Sequence, residues 1–410
     1  MQRAGRARRV RQNRPVVDPE RGVTFKTIVD EASFAGLGAS WDALVGAMPR
    51  PSPFLLHGWL LEWFRHLGRD AEIAVHVAYR GRELVGALPL IVRRRLSVRV
   101  AEFPGAPESA LADLMLAPGE AAALARGLLG RARDSGIDLV DVFGLPRESR
   151  LGAALGPARL HLIERVEAPV LDLPADWEPF YRERLPNDRR YELRRRLRRL
   201  AEIGTVEVAH ARTPEDLAPA LEESFRLHAL RWSGRPDRSN FGTPEGMRFH
   251  RAALSALARD DAVRITLLKV DGRAIAFHLD FVLSGRMYGH RLGFDPSLAR
   301  FAPGTINTLD ALKAATAEGL TRFEFLGGAE PYKLALADRS EPLYQGIGMA
   351  GGVRGQAILT ARVAAIRLWL GLRGSRSLRR FYYEGLAPAR RIAASLRRTA
   401  RDGGASTREP

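Results

Sequence analysis

Alternation of apolar and polar residues marks two hairpins far apart in the chain. AEIAVHVAY and ELVGALPLIV flank the turn Arg80-Gly81-Arg82, and each reads as a half-buried strand. About 190 residues later, VRITLLKV and RAIAFHLDFVL flank Asp271-Gly272, a dipeptide suited to a two-residue hairpin turn. The strand pattern IDLVDVFG is matched by TRFEFLGG at a similar offset. The pattern therefore predicts one design used twice.

Between these landmarks the period changes to that of a helix. In the first half a strand begins at Val23, and PFLLHGWLLEWFRHLG carries bulky apolar residues at helical spacing. A third strand is expected at 98–103, a helix at about 119–135, and further strand in ARLHLIERVEAPVLDL. In the second half NDRRYELRRRLRRLAEIG predicts a helix with Leu193, Leu197 and Leu200 among arginines, followed by the strand TVEVAHA. TPEDLAPALEESFRLHALRW and TPEGMRFHRAALSALA predict helices, each opened by a threonine with an acid in the first turn. Residues 286–333 parse as strand, Pro/Gly loop, four-turn helix, strand and Gly-Gly turn, and LYQGIGM adds an edge strand.

The expected organisation is a disordered basic tail at 1–22, a first α/β unit at 23–175, a second at 176–352 and a basic helical extension at 353–410. The first unit carries a loose acidic stretch, SALADLMLAPGE, where the second carries the loop from Arg300 to Thr305. An anionic ligand therefore belongs to the second.

Charge sharpens this picture. The chain has 410 residues and a net charge of +17. That excess sits in the first 22 residues, in the helix pattern at 186–203 and in residues 355–410, where twelve Arg face three acids. Basicity confined to tails and one helix suits an anionic membrane surface at least as well as nucleic acid. No cysteine occurs, which excludes disulfides and thiol nucleophiles, and the nine histidines lack metal-ligand spacing. No apolar run is long enough for a transmembrane helix and no secretory signal is evident, so the expected location is cytoplasmic, peripheral on the inner face of the membrane.

Several motifs in this order resemble the BioF2-like, or CelD-type, acetyltransferases of the GNAT superfamily, relatives of the Fem peptidyltransferases. They are RRYELRRRLRRL, His228-Ala229-Leu230-Arg231-Trp232, Phe249-His250-Arg251, Gly293-Phe294-Asp295-Pro296, Gly304-Thr305, and Phe325-Leu326-Gly327-Gly328 through Glu330 to Tyr332-Lys333. The resemblance implies tandem GNAT-like α/β domains and acyl transfer from acyl-CoA, acetyl-CoA above all, to an amine or hydroxyl of a cell-envelope, polysaccharide or lipid precursor. In the phosphate loop the sequence departs from the usual GNAT pattern, since Arg300 stands four residues before Gly304.

Such transfer needs a base, donors for the developing oxyanion and an acid for the leaving group. Base candidates are His278, Asp280, His290 and Glu324, all on expected strands, and Tyr332 is the candidate acid. Alternation places His278 with Asp280 on one face, and His290 with Tyr288 and Leu292. Gly293, Arg300, Gly304, Thr305 and Lys333 are candidates for the acyl donor, and His228, Arg231 and Trp232 for the acceptor. Two other readings keep some of these residues: an aminoacyl-tRNA-dependent transferase of Fem type, and a non-catalytic scaffold that binds anionic lipid or polymer.

Overall fold

The computed structural model describes residues 15–18, 22–95, 98–105, 109–120, 122–156, 159–233 and 240–374. In chain order its strands are β1 (Val16–Asp18), β2 (Val23–Ile28), β3 (Glu72–Arg80), β4 (Glu83–Arg95), β5 (Val98–Glu102), β6 (Met115–Leu116), β7 (Leu139–Leu145) and β8 (Leu160–Val166). There follow β9 (Pro169–Asp172), β10 (Val206–Ala211), β11 (Val263–Val270), β12 (Arg273–Leu283), β13 (Arg286–Phe294), β14 (Arg322–Glu324), β15 (Arg339–Ser340) and β16 (Leu343–Gly348). They build two mixed sheets, ordered β1-β2-β3-β4-β5-β7-β16-β8, with β6 on β4, and β10-β11-β12-β13-β14-β9-β15.

The expected repeat is visible in these orders. Each sheet has a run of antiparallel strands, β1 to β5 or β10 to β13, and then a crossover helix, Ala122–Asp134 or Pro303–Ala317, that returns the chain to a parallel strand. Each sheet then takes a strand from the other half. β9 pairs with β14 in the second sheet, and β16 lies between β7 and β8 in the first. The expected boundary after residue 175 therefore cuts β9 away from its own sheet, and LYQGIGM is an interior strand of the first sheet, not an edge strand of the second. Part of the expected disordered tail is also ordered, because Val16–Asp18 pairs with Val23–Phe25. Residues 1–14 and 19–21 lie outside the described residues.

A shared core reinforces the exchange. Helix His57–His66 packs on helix Pro244–Ala258, and a Cβ added at Gly58 would stand 3.1 Å from that of Ala256, so glycine permits the close approach. Trp59 then reaches Phe249 and Phe281, with ring centroids at 4.7 and 5.3 Å. Its indole N–H donates to Ser109 Oγ, so the polar edge of a fully buried ring is satisfied. Each such ring contributes about 1.5–3 kcal/mol by leaving water. Residues up to Gly351 form one compact unit.

The helices begin as the sequence dictates. Thr213 and Thr243 accept hydrogen bonds from the backbone N–H groups of Asp216 and Gly246 at 3.3 and 3.0 Å, satisfying donors that the first turn leaves open. A second unit starts at Gly352 with the helix Gly352–Gly374. On that helix Val363 and Ile366 are buried, whereas Leu368 and Trp369 are exposed. The rest of the basic extension, 375–410, lies outside the described residues. Among the described residues no helix is long and apolar enough to cross a membrane.

Candidate active site

The site begins where two parallel strands separate. β13 pairs with β14 only through Arg286–Arg322, Met287–Phe323 and Tyr288–Glu324. Beyond Glu324 the chain turns toward β9: Phe325 and Gly328 donate their N–H groups to Pro169 O and Glu167 O, with φ of 53° at Leu326 and 121° at Gly328. Among the described residues no strand lies on that side of β13 from Gly289 to Phe294. Its backbone groups there can pair with an extended ligand.

On its other side β13 carries a bulge. Gly289 pairs with Asp280 and Arg291 with Leu279, which leaves His290 as the extra residue. The bulge keeps His290 on the face of Tyr288 and Phe281, its ring 5.0 Å from that of Phe281. Leu292, paired with His278, falls on the opposite face, contrary to simple alternation.

The four base candidates therefore divide. His278 and Asp280 share the face of Phe323 and the crossover helix, with His278 Nδ1 at 2.8 and 2.9 Å from the two Asp280 oxygens. An imidazole donating Nδ1–H to a carboxylate presents its Nε2 lone pair. Burial raises the Asp280 pKa, against the attraction of His278. A Cβ at Gly289 would stand 3.3 Å from Phe323 Cζ and 3.5 Å from His278 Cε1, so the glycine leaves room beside the imidazole at the open edge. Tyr332 lies near enough to Asp280 to feel its charge. Burial first, then Glu330 and Asp280, raise its hydroxyl well above the ordinary value, so it stays protonated.

His290 and Glu324 face the first half of the chain. His290 sits among Phe54, Trp59 and Phe281, and its Nε2 is 3.3 Å from that of His250. His250 Nδ1 donates to Gly246 O at 2.7 Å, so its Nε2 accepts from His290. Burial lowers the pKa of both, that of His250 to about 3. Glu324 is fully buried, with Arg50 Nη2 at 2.6 Å, Arg322 Nε at 2.9 Å and Arg286 Nη1 at 3.9 Å. These ion pairs engage both oxygens of the carboxylate.

The donor candidates also separate. The crossover helix starts at Pro303 after Ala302 in the left-handed region, no side chain caps it, and the Thr305 and Ile306 N–H groups donate to Ala302 O, so the Gly304 N–H and the positive end of the helix suit an anion. Gly304 packs close to Phe294, where a Cβ would come within 3.1 Å of the ring, and Thr305 follows in the same turn. Arg300 is exposed, its guanidinium 4.7 Å above the Phe301 ring. Lys333, in contrast, is buried and spans the turn before it, donating to Gly327 O at 3.1 Å and pairing with Glu330 at 3.0 Å. It braces that turn locally. Gly293 lies against Phe277, at 2.6 Å from an added Cβ.

The acceptor candidates gather near the end of β13. Arg231 lies 4.9 Å over the Phe294 ring, His228 is buried against Phe241, and Trp232 is 40% exposed beyond it. Arg50 and His250 are the participants that sequence reasoning passed over. Phe249-His250-Arg251 was visible as a motif without a role, and Arg50 carries no local signal at all. Among the described residues no group of His, Asp and Glu is placed to hold a metal ion.

Comparison with known proteins gives the same architecture. Residues 187–334 match the family model described as an acetyltransferase (GNAT) domain. No curated protein sequence matches. The structure of FemX is similar at 11% identity and a TM-score of 0.54, covering 78% of this chain and 96% of that one. The DUF2156 domain assigned to a lysylphosphatidylglycerol synthetase of Agrobacterium fabrum is similar at 13% identity and a TM-score of 0.50, covering 82% and 97%. A tandem GNAT protein from the clavulanic acid biosynthesis pathway is similar at 14% identity and a TM-score of 0.46, covering 80% and 99%. At these identities the likeness is one of fold, and the fold class is the expected one: mixed α/β, with the GNAT match in the second half and the tandem arrangement given by the repeated strand order of the two sheets.

Proposed function

We propose that this protein transfers an acyl group, acetyl or a close relative, from acyl-CoA to an amine or hydroxyl of a cell-envelope, polysaccharide or lipid precursor. The observation that carries the reading is the open edge of β13 at Gly289, set beside the His278–Asp280 pair. An extended amide-bearing donor fits that edge as an added strand would, with its phosphates at the uncapped start of helix Pro303–Ala317 beside Arg300.

Each chemical role then has a group. Backbone N–H groups of β13 between Gly289 and Gly293 polarise the acyl carbonyl and hold the charge that develops on its oxygen. His278 Nε2 takes the proton from the attacking amine or hydroxyl, while Asp280 fixes the tautomer and steadies the imidazolium that forms. Tyr332, held protonated, delivers a proton to the departing sulfur. His228, Arg231 and Trp232 at the end of β13 form the acceptor's approach.

The arginines of residues 355–410 and the exposed Leu368 and Trp369 support docking on an anionic membrane surface, where a lipid-linked acceptor resides. A thermal-shift panel of CoA, short and long acyl-CoAs and tRNA tests the donor. A ligand at 100 times its dissociation constant stabilises by ~2.7 kcal/mol. Stabilisation by acyl-CoA supports the reading. Stabilisation by tRNA alone transfers the site to an aminoacyl donor, and a response to neither removes the enzymatic reading.

A further inference from the structure

A second cationic feature lies next to the helix start. Helix Asn187–Ala201 packs through Leu200 and Leu193 against Phe301, Leu298 and Ile306, the last in the opening turns of the crossover helix. Along this seam runs an open cleft of about 310 Å³, lined by Arg195, Arg196, Arg199 and Arg300, with Glu192, Glu202, Ile203 and Phe301 completing it. Glu192 is shared by Arg195 and Arg196 at 3.4 and 2.9 Å. Arg199 has no acidic partner among the described residues, and Arg300 has only the face of Phe301. Four guanidinium groups against two carboxylates leave the cleft with an excess of positive charge that no packing need explains.

We infer that this cleft binds the 3′-phosphate of the donor's adenosine, which rests on the acyl-CoA reading above. Coenzyme A carries two anionic groups of different kind, a diphosphate and a phosphomonoester, separated by one ribose. The structure offers two neighbouring cationic features of different kind, an uncapped helix start and an arginine cleft. Arg300, three residues before Pro303, stands between them. A phosphomonoester brings close to two negative charges and three acceptor oxygens, which arginine forks match with paired charge-assisted hydrogen bonds. The exposed side chain of Ile203 gives the cleft an apolar wall beside the charges, as a nucleoside requires. This also gives the arginine-rich helix a use in donor selection, with no membrane or nucleic acid involved.

Titration calorimetry on the full chain with CoA and 3′-dephospho-CoA tests the assignment. Wild-type protein should bind CoA at least about tenfold more tightly at low salt, the equivalent of one good charge-assisted contact. The double variant Arg195→Ala/Arg199→Ala should bind both compounds equally, with the dephospho compound bound as by wild type. Both side chains are exposed, so the melting temperature should be unchanged. Equal binding of the two compounds by wild type overturns the inference and leaves the acyl-CoA reading standing. Discrimination that survives the double substitution places the 3′-phosphate elsewhere and also overturns it. Binding of neither compound removes both. Tighter binding of a CCA-ended RNA hairpin, lost in the double variant, would make the cleft an RNA-backbone site and overturn the inference as well.

Discussion

Arg50 Nη2 lies 2.6 Å from Glu324 Oε2 in a fully buried ion pair that joins residues 274 positions apart. Arg322 and Arg286 approach the same carboxylate, and Arg50 and Arg322 also reach Glu341. Glu324 thus ties the first half of the chain to the second at the point where β13 and β14 begin to part. Glu324→Gln should destabilise the protein by ~3–5 kcal/mol, because it strands buried guanidinium groups, and should leave the pH profile of kcat/KM unchanged. Denaturant unfolding and steady-state rates check this. A rate loss of 10²-fold or more at unchanged stability would return Glu324 to the role of base.

The His278–Asp280 pair carries the opposite expectation. His278→Asn should lower turnover by ~10²–10⁴ while leaving CoA affinity close to wild type. Asp280→Asn should give an intermediate loss, since it removes the group that orients His278 rather than the proton acceptor. Full turnover in His278→Asn would exclude it and leave Asp280, Glu324 and His290, the last with its His250 partner, as the candidates.

Much of the fold was legible locally. The two hairpins, the Thr-capped helices and the crossover helix follow from period, turn chemistry and capping, all of which act over a few residues. The exchange of β9 and β16 was not legible, because it depends on pairing between segments about 150–210 residues apart that no local pattern encodes. The site was half legible for the same reason. His278 and Asp280 were grouped correctly by alternation. Alternation then failed at Leu292, because a bulge shifts the register by one residue. Glu324 is legible as a strand-borne carboxylate, but its partner Arg50 lies 274 residues away and no local pattern shows it. The contact of Lys333 with Gly327 O was not legible either, because it depends on the curl of the chain at Gly327 and Gly328.

Three buried histidines make stability sensitive to acid. Burial holds His76 and His250 down at about 3 and His290 well below its ordinary 6.5. The unfolded chain takes up these protons near 6.5 and the folded chain does not. Their contribution is therefore whole above 6.5 and declines as pH falls from there toward 3. Each histidine accounts for about 1.4 kcal/mol per pH unit inside that window. Asp113 and Asp280, raised by burial, act in the opposite sense, so a difference between variants isolates the histidine. His76→Leu should lose less stability than wild type between about pH 7 and about pH 5 in urea titrations. An identical loss in both would place the His76 proton affinity at its ordinary value.

The contact between the two halves should be equally sensitive to size. A side chain at Gly58 meets Ala256 across the helix pair, so Gly58→Val should cost about 1–3 kcal/mol as overpacking. Gly58→Val/Ala256→Gly should recover part of it. Equal stability of Gly58→Val and wild type, by denaturant midpoint, would mean that the helices are not in close contact there.

The central claim is that an acyl-CoA lies along the open edge of β13 and ends at the start of helix Pro303–Ala317. Hydrogen exchange followed by mass spectrometry, with and without acetyl-CoA, reads both places at once. The account predicts slowed exchange in peptides covering 289–294 and 303–306, with little change in the hairpin Glu72–Arg95. Protection confined to the first sheet, or absent from 289–294 at saturating acetyl-CoA, would contradict it.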